Sequence, residues 1–417
     1  MNACDVLAEM KIQEKAYAII IPGWGQSVSN MPDKIDFLLP ENIKCACDWS
    51  CLEKEVTEEI LAVGKVVAET PALRAFAWHI YYKLMFLPFS YGNYSHSFGG
   101  WPLPEHHLGH AAGLFYVLVA LGLVPHTVKK QQEMNIPDKI IRDTLNLTES
   151  IAFYKRSNGI PGIDPSVIHW HRLYVAGRLF TLGRFQYKLA ELFSFGAMLR
   201  SKSDGRRLLF AEPGMRFNSK GFIVQSGCES DSDRISSFEL TDTHVSGFPV
   251  SPEGFAFLEK HTCSRKEWDV ILRRGDILLD LHIPSGGKMT PDACHESLEL
   301  AFRFFREHRP GQFVPAVISR SWIFNTQFEE MLPDSNLAKL MCECYLFPCP
   351  SDGKDGFFFL FGKDYPDPKD APHDTTLRRA MLSVLERGDR LRLGGMLFLA
   401  EDLQRYGKSV YRSQFKL

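Results

Sequence analysis

The chain has 417 residues, 45% of them hydrophobic and 24% charged, with a formal net charge of −2. That length carries two or three domains with cores of their own, and the composition is ordinary for a soluble globular protein. A near-neutral balance supplies no global field for nucleic acid or an anionic membrane, so neither is an expected partner.

The first segment, MNACDVLAEMKIQEK, has no apolar core flanked by basic residues, so no signal peptide is read there and a cytoplasmic location is expected. The ten cysteines are then read as thiols of a reducing compartment. Cys45, Cys47 and Cys51, like Cys342, Cys344 and Cys349, use C-x-C rather than the C-x-x-C of a tetrahedral zinc knuckle, so no metal site is expected. Leu108–Val124 is the most apolar window. It is barely long enough to span a bilayer, contains His110, and is read as a buried core helix.

Residues 1–160 read as a helical domain. Val56, Ile60, Val63 and Val67 share one helix face, as do Leu73, Phe76, Ala77, Ile80 and Leu84. The loop LPFSYGNYSHSFGGWPLPEHH is long for a mere connection, and Tyr91–His107 is expected to form one wall of an acceptor site. His106, His107 and His110 near the next helix lack H-E-x-x-H spacing and are read as a wet histidine cluster. Leu114–Leu123 and Ile140–Tyr154 complete the helices, and Asn158–Asp164 (NGIPGID) is the expected hinge.

Residues 161–417 read as mixed α and β. Val167–Leu182 is expected to be a helix and Phe185–Phe195 the first strand. Arg206–Leu240 reads as strands interrupted by loops, with GCESDSDRISS as an exposed excursion. A helix over Ser335–Tyr345, a strand over Phe357–Gly362, a Thr375-capped helix through Leu385 and a strand over Met396–Leu399 follow. The fold class is therefore α+β.

Gly275–Phe324 is the most informative stretch. Ile277, Leu279 and Leu281 alternate with Leu278, Asp280 and His282, so a period-2 strand carries the last two on one face. Pro284, Ser285, Gly286 and Gly287 end the strand and leave backbone unobstructed. Thr290 is a good N-cap with Pro291 at the first helical position, and Leu298, Ala301, Phe302 and Phe305 recur at helical spacing. Val314–Ile318 then leads into Ser319, Ser321 and Trp322. The unit is β-loop-α-β, a layout that presents backbone N–H groups to a phosphate.

Three stretches resemble a family of bacterial two-domain acyltransferases: HWHRLYVAGRLFTLGRFQY (His169–Tyr187), LDLHIPSGGKMTPDACHESLELAFRFF (Leu279–Phe305) and SRSWIFNTQFEEMLPDSNLAKL (Ser319–Leu340). WPLPEHHLGHAAGLFYVLVAL (Trp101–Leu121) resembles the N-terminal half. Members join a helical N-acyltransferase N-terminal domain to a C-terminal domain similar to the GNAT acetyltransferases. The resemblance implies acyl-CoA as co-substrate, a small-molecule amine as acceptor, and pyrophosphate held by the loop and helix start after the fourth strand. By that analogy Asp276–Ile283 is the fourth strand, Ser285, Gly286, Gly287, Lys288, Met289 and Thr290 form the phosphate loop, and Val314–Trp322 is the fifth strand. The loop reads S-G-G-K-M-T where GNAT loops read Q/R-x-x-G-x-G/A, and Asp292 places a carboxylate in the first helical turn.

Direct acyl transfer to an amine needs a base, an oxyanion donor and an acid near the leaving thiolate. His282 is the expected base, with Asp280 on the same face to orient it or stand in for it. Ser319 and Ser321 are the expected proton donors to the thiolate. Arg172, Arg178 and Arg184 recur at six-residue intervals and make no single stripe; each is read either as a contact of the CoA 3′-phosphate or as an ion-pair partner. No G-x-S-x-G elbow, Walker loop or Rossmann fingerprint points to another chemistry. The alternative reading is a non-catalytic small-molecule or protein-binding scaffold with a degenerate GNAT fold.

Overall fold

A computed structural model describes residues 2–87, 98–192, 194–362, 365 and 367–417. The chain forms two compact units, Met1–Leu182 with Pro284–Gly286, and Gly183–Ile283 with Gly287–Leu417. The division thus falls after Leu182, against an expected boundary at residue 160.

The first unit is built on helices. Lys54–Glu69 buries Ile60, Val63, Gly64 and Val67, the i, i+3, i+4, i+7 face that the sequence implies. Gly64 lets the two helices approach closely, since a Cβ would stand 2.5 Å from Ile43 Cδ1 of the Pro40–Trp49 helix and force that side chain to shift. Every residue of Leu114–Leu121 is buried, and Phe76 of the Pro71–Phe86 helix stacks on Phe115 with centroids 5.5 Å apart. Among the described residues no single helix is long and apolar enough to cross a membrane. The NGIPGID segment is packed into this unit: a Cβ on Gly162 would stand 2.5 Å from Gly113 Cα.

Two expected helices are corrected. Ile140–Tyr154 is two helices, Asp138–Leu145 and Thr148–Asn158, parted where Asn146 Oδ1 accepts the Thr148 N–H at 2.9 Å, a local bond that competes with helix continuation. Val167–Leu182 is a 3-10 turn over Pro165–Trp170, a short helix His171–Val175 and a strand Leu179–Leu182. Gly177, at φ +60°, stops the helix.

The second unit carries the mixed sheet. Five of its strands are β1 (Phe185–Glu191), β2 (Ile277–His282), β3 (Ala316–Ser321), β4 (Tyr345–Cys349) and β5 (Leu393–Leu399), in spatial order β1-β2-β3-β5-β4. β2 and β3 are parallel, and the other pairs are antiparallel. The helix Pro291–His308 connects β2 to β3 and buries Cys294, Ser297, Leu298, Ala301, Phe304 and Phe305, with Phe304 rather than Phe302 on the inner face. A second sheet, over Ala197–Ser201, Arg207–Phe210, Pro249–Val250 and Trp268–Arg273, contributes to a core of Leu199, Leu208, Phe210, Val245, Cys263 and Trp268.

Phe357–Phe361, expected as a strand, is a helix bracketed by Gly356 and Gly362 in the left-handed region. Phe357 and Phe361, four apart, pack at 4.5 Å on one face, while Phe358 and Phe359 stay exposed. A wholly apolar run of five residues carries no periodicity that separates helix from strand. Only its flanking glycines hold the answer.

Candidate active site at the parallel strand pair

The site begins with a short ladder. β2 and β3 each have six residues, yet only Leu279 with Val317 and Asp280 with Ile318 are paired. Beyond Asp280 the two parallel strands no longer share a regular ladder. Ser319 Oγ donates to Leu281 O at 2.8 Å. The ladder is followed in the chain by a loop and a helix start, an arrangement that places backbone amides where they can attract phosphate.

The register divides the expected residues between two faces of the sheet. Asp280 stands opposite Lys188 and His282 opposite Gln186, so Lys188, Asp280 and His282 share one face. Lys188 Nζ lies 2.9 Å and His282 Nε2 3.2 Å from the same oxygen, Asp280 Oδ2. Side-chain exposure is 9% at Lys188, 24% at Asp280 and 29% at His282, so the charges are sheltered and the imidazole keeps access to solvent. Burial alone would raise the Asp280 carboxyl, but its contacts with His282 and Lys188 outweigh burial and hold it below the ordinary carboxylate range.

Ser319 and Ser321 follow the register of Val317, which pairs with Leu279, and therefore lie on the opposite face from Asp280 and His282. The same face carries Tyr187, opposite Leu281, whose hydroxyl lies 3.0 Å from Ser297 Oγ of the Pro291–His308 helix. Ser297 Oγ also accepts the Phe185 N–H at 3.1 Å, so one buried hydroxyl seats the helix on β1. Ser319 is buried. Ser321 caps the turn Trp322–Phe324 by accepting the Ile323 N–H.

Thr290 and Pro291 sit as expected at the helix start: Thr290 Oγ1 accepts the Ala293 N–H at 3.3 Å. That cap, and a proline without an N–H, use up part of the donor set that an uncapped helix would offer an anion. The amides of Gly286 to Met289 then matter more. Ser285, Gly287 and Lys288 are exposed, and Gly286 and Gly287 both hold positive φ, +79° and +67°. A Cβ on Gly286 would meet Glu149 Cγ at 2.5 Å, whereas one on Gly287 would lie 3.5 Å from Arg184 Cδ and Nε. Arg184 thus runs alongside the loop as a cation the sequence had offered only as one of three.

The other expected features behave differently. Arg172 donates to the main-chain carbonyls of Lys83 and Leu87 at the end of the Pro71–Phe86 helix. His169 and His171 lie against the carbonyls of Ser166 and Ile168, and burial lowers both imidazoles. His106 and His107 are stacked edge to face. Among the described residues no group of three histidines, cysteines or carboxylates is placed to hold a metal, and Cys294, on the buried face of the Pro291–His308 helix, is pushed up to about 12 by burial. Of the Tyr91–His107 wall, residues 91–97 lie outside the described residues. A cavity of about 420 Å³ in the first unit lies between Pro40–Trp49 and Val124–Glu133 and touches none of the candidate residues.

Lys188 is the residue that sequence reasoning missed. Its signal is tertiary, since only the strand register brings it opposite Asp280.

Comparison with known proteins follows this geometry. Residues 41–177 match the N-acyltransferase N-terminal domain, and residues 179–397 match the GNAT-like C-terminal domain. No curated protein is similar enough to count as a relative. Three solved structures share the fold across nearly the whole chain. An acyltransferase in complex with decanoyl-CoA and teicoplanin has a TM-score of 0.63 at 20% identity, covering 96% of this chain and 99% of its own. An acyltransferase mutant in complex with octanoyl-CoA has a TM-score of 0.62 at 20% identity with the same coverage. An acyltransferase in complex with decanoyl-CoA has a TM-score of 0.58 at 21% identity, covering 95% of this chain and 99% of its own.

Proposed function

Because this chain belongs to the two-domain family that joins an N-acyltransferase N-terminal domain to a GNAT-like C-terminal domain, we propose that it moves an acyl group from acyl-CoA to an amine of a small molecule. The carrying observation is the two-pair parallel ladder between β2 and β3. In this reading the thioester arm enters beside the ends of β2 and β3, and the amides of Gly287 to Thr290, with Lys288 and Arg184, take the pyrophosphate. Solved acyltransferases of this fold hold octanoyl- and decanoyl-CoA, and one holds teicoplanin, which supports an acyl-CoA donor and a small-molecule acceptor here.

The chemistry is direct. The acceptor nitrogen attacks the thioester carbonyl carbon, a C–N bond forms, and the C–S bond breaks to release CoA thiolate. His282 takes the proton from the nitrogen, with Asp280 beside it. The released thiolate takes a proton from solvent water, and His282 returns the proton of the amine to solvent. The reaction is assigned to the cytoplasm, where acyl-CoA is available.

The competing scaffold reading draws on Glu149 against Gly286 and on the capped helix start. Thermal unfolding with acetyl-, octanoyl- and decanoyl-CoA decides between them. A ligand at a hundred times its Kd stabilises the fold by about 2.7 kcal/mol, which raises Tm by several degrees. A rise for the acyl-CoA series, followed by thiol release on adding an amine, supports the transferase. No rise with any of them leaves the scaffold reading.

A further inference from the structure

At the end of the sheet where β2 and β3 both finish, a second group of side chains has no part in the chemistry above. Ser321, the last residue of β3, pairs with Gly394 near the start of antiparallel β5, so Arg392 emerges at that end. Its main chain is fixed from inside the fold. The Arg392 N–H donates to Gln327 Oε1 at 3.2 Å, Asn325 Nδ2 donates to the same oxygen at 2.9 Å, and Gln327 Nε2 donates to Arg390 O at 3.2 Å. Asn325 and Gln327 are both buried, so two interior amides are committed to holding one turn.

The side chain is held as well. The guanidinium stands 3.6 Å from the centroid of the Phe222 ring, and Nη1 donates to Thr326 Oγ1 at 3.2 Å. Among the described residues it has no close counter-ion: Glu330 Oε1, on an exposed side chain, is 4.0 Å away, and Asp389 acts on it from farther off. Burial outweighs both and lowers the guanidinium below its ordinary range. Arg392 shares a cleft with Phe222, Gln225, Thr326 and Ser351, and its volume of about 20 Å³ has room for a group the size of about one or two waters, but not for a ring. The wall is polar. Gln225 Nε2 donates to Ser351 Oγ at 3.1 Å and to Leu391 O at 2.7 Å, which leaves Oε1 buried without a partner among the described residues. A fixed, partly desolvated fork in a small polar cleft suits a planar carboxylate, which it can meet through two parallel bonds.

We propose that Arg392, oriented by Thr326 and Phe222, binds a carboxylate, and that the acceptor of the acyl group carries that carboxylate. The carboxylate site stands by itself; its use for the acceptor rests on the transferase reading.

Thermal unfolding of the full chain in acetate and β-alanine, and in acetamide and β-alaninamide at the same ionic strength, tests it. The two carboxylates should raise Tm saturably and the two amides should not. Arg392→Gln should weaken carboxylate binding about tenfold or more, the loss of a charge-assisted bond. Arg392→Lys keeps the charge without the fork and should recover only part of it. If Arg392→Gln does not fold, Thr326→Val takes its place, and loss of the orienting bond should again weaken the carboxylates. No carboxylate-specific rise, or binding unchanged in the folded variant, overturns the proposal. Inorganic phosphate binding more tightly than both carboxylates overturns the assignment to a carboxylate. With octanoyl-CoA as donor, β-alanine should release thiol faster than β-alaninamide, and the reverse order overturns the acceptor's part. Failure of every acyl-CoA to bind would overturn the transferase reading instead, and the carboxylate titration would still decide the role of Arg392.

Discussion

Ser319 Oγ donates to Leu281 O at 2.8 Å, one residue beyond the last paired position of the parallel β2–β3 ladder. The hydroxyl ties β3 to β2 just past that ladder. Ser319→Ala should therefore lower stability by about 1–2 kcal/mol, the cost of an orphaned buried carbonyl. Urea unfolding at constant m-value measures it.

Ser297 anchors the Pro291–His308 helix through two contacts, the Phe185 N–H and the Tyr187 hydroxyl. Ser297→Ala strips both at once in a fully buried setting. A loss of about 2–3 kcal/mol is expected, larger than that of Ser319→Ala, and chemical denaturation of the two variants side by side checks the order.

Gly286 and Gly287 are adjacent and both left-handed, but their surroundings differ. Gly287→Ala meets only ordinary contact with Arg184 and should cost about 1–2 kcal/mol from backbone strain. Gly286→Ala adds a 2.5 Å encounter with Glu149 Cγ and should cost more. Glu149→Ala in the Gly286→Ala background should recover the difference, a coupling read from a double-mutant cycle.

Acid should weaken the first unit. His79 is wholly buried, its Nδ1 2.7 Å from Ser27 Oγ and its Nε2 2.8 Å from Ile20 O, and burial lowers it to about 4. His171 is lowered to about 4 by the same cause. An unfolded histidine takes up its proton near pH 6.5, so between there and pH 4 the unfolded chain binds more protons, and stability falls as pH falls. Each histidine contributes on the order of 3 kcal/mol to that loss. His79→Gln should be less stable at pH 7 yet show a flatter decline from pH 6.5 to 4, as followed by circular dichroism.

The β-loop-α-β unit was legible because its signals are local. Thr290 and Pro291 mark a helix start and Gly286 with Gly287 a turn that few other residues adopt, so strand, cap and helix fell where the pattern put them. FFFLFG was not legible, because a uniform run has no period, and the glycines on either side settle it as a helix. Gly177 likewise ends a helix that the pattern carried on to Leu182. The candidate site was half legible. Asp280 and His282 lie two apart on a strand, which sequence spacing alone reveals. Lys188, nearly a hundred positions away, joins them only through antiparallel register, and the same register sends Ser319 and Ser321 to the other face.

The central claim is that acyl-CoA enters beside the ends of β2 and β3, and hydrogen–deuterium exchange with and without decanoyl-CoA tests it most directly. Slower exchange confined to the end of β2, the Ser285–Thr290 loop, the first turn of Pro291–His308 and the end of β3 is the predicted result. Protection that instead falls on Pro40–Trp49 and Val124–Glu133, around the first unit's cavity, or no protection at all, would contradict it.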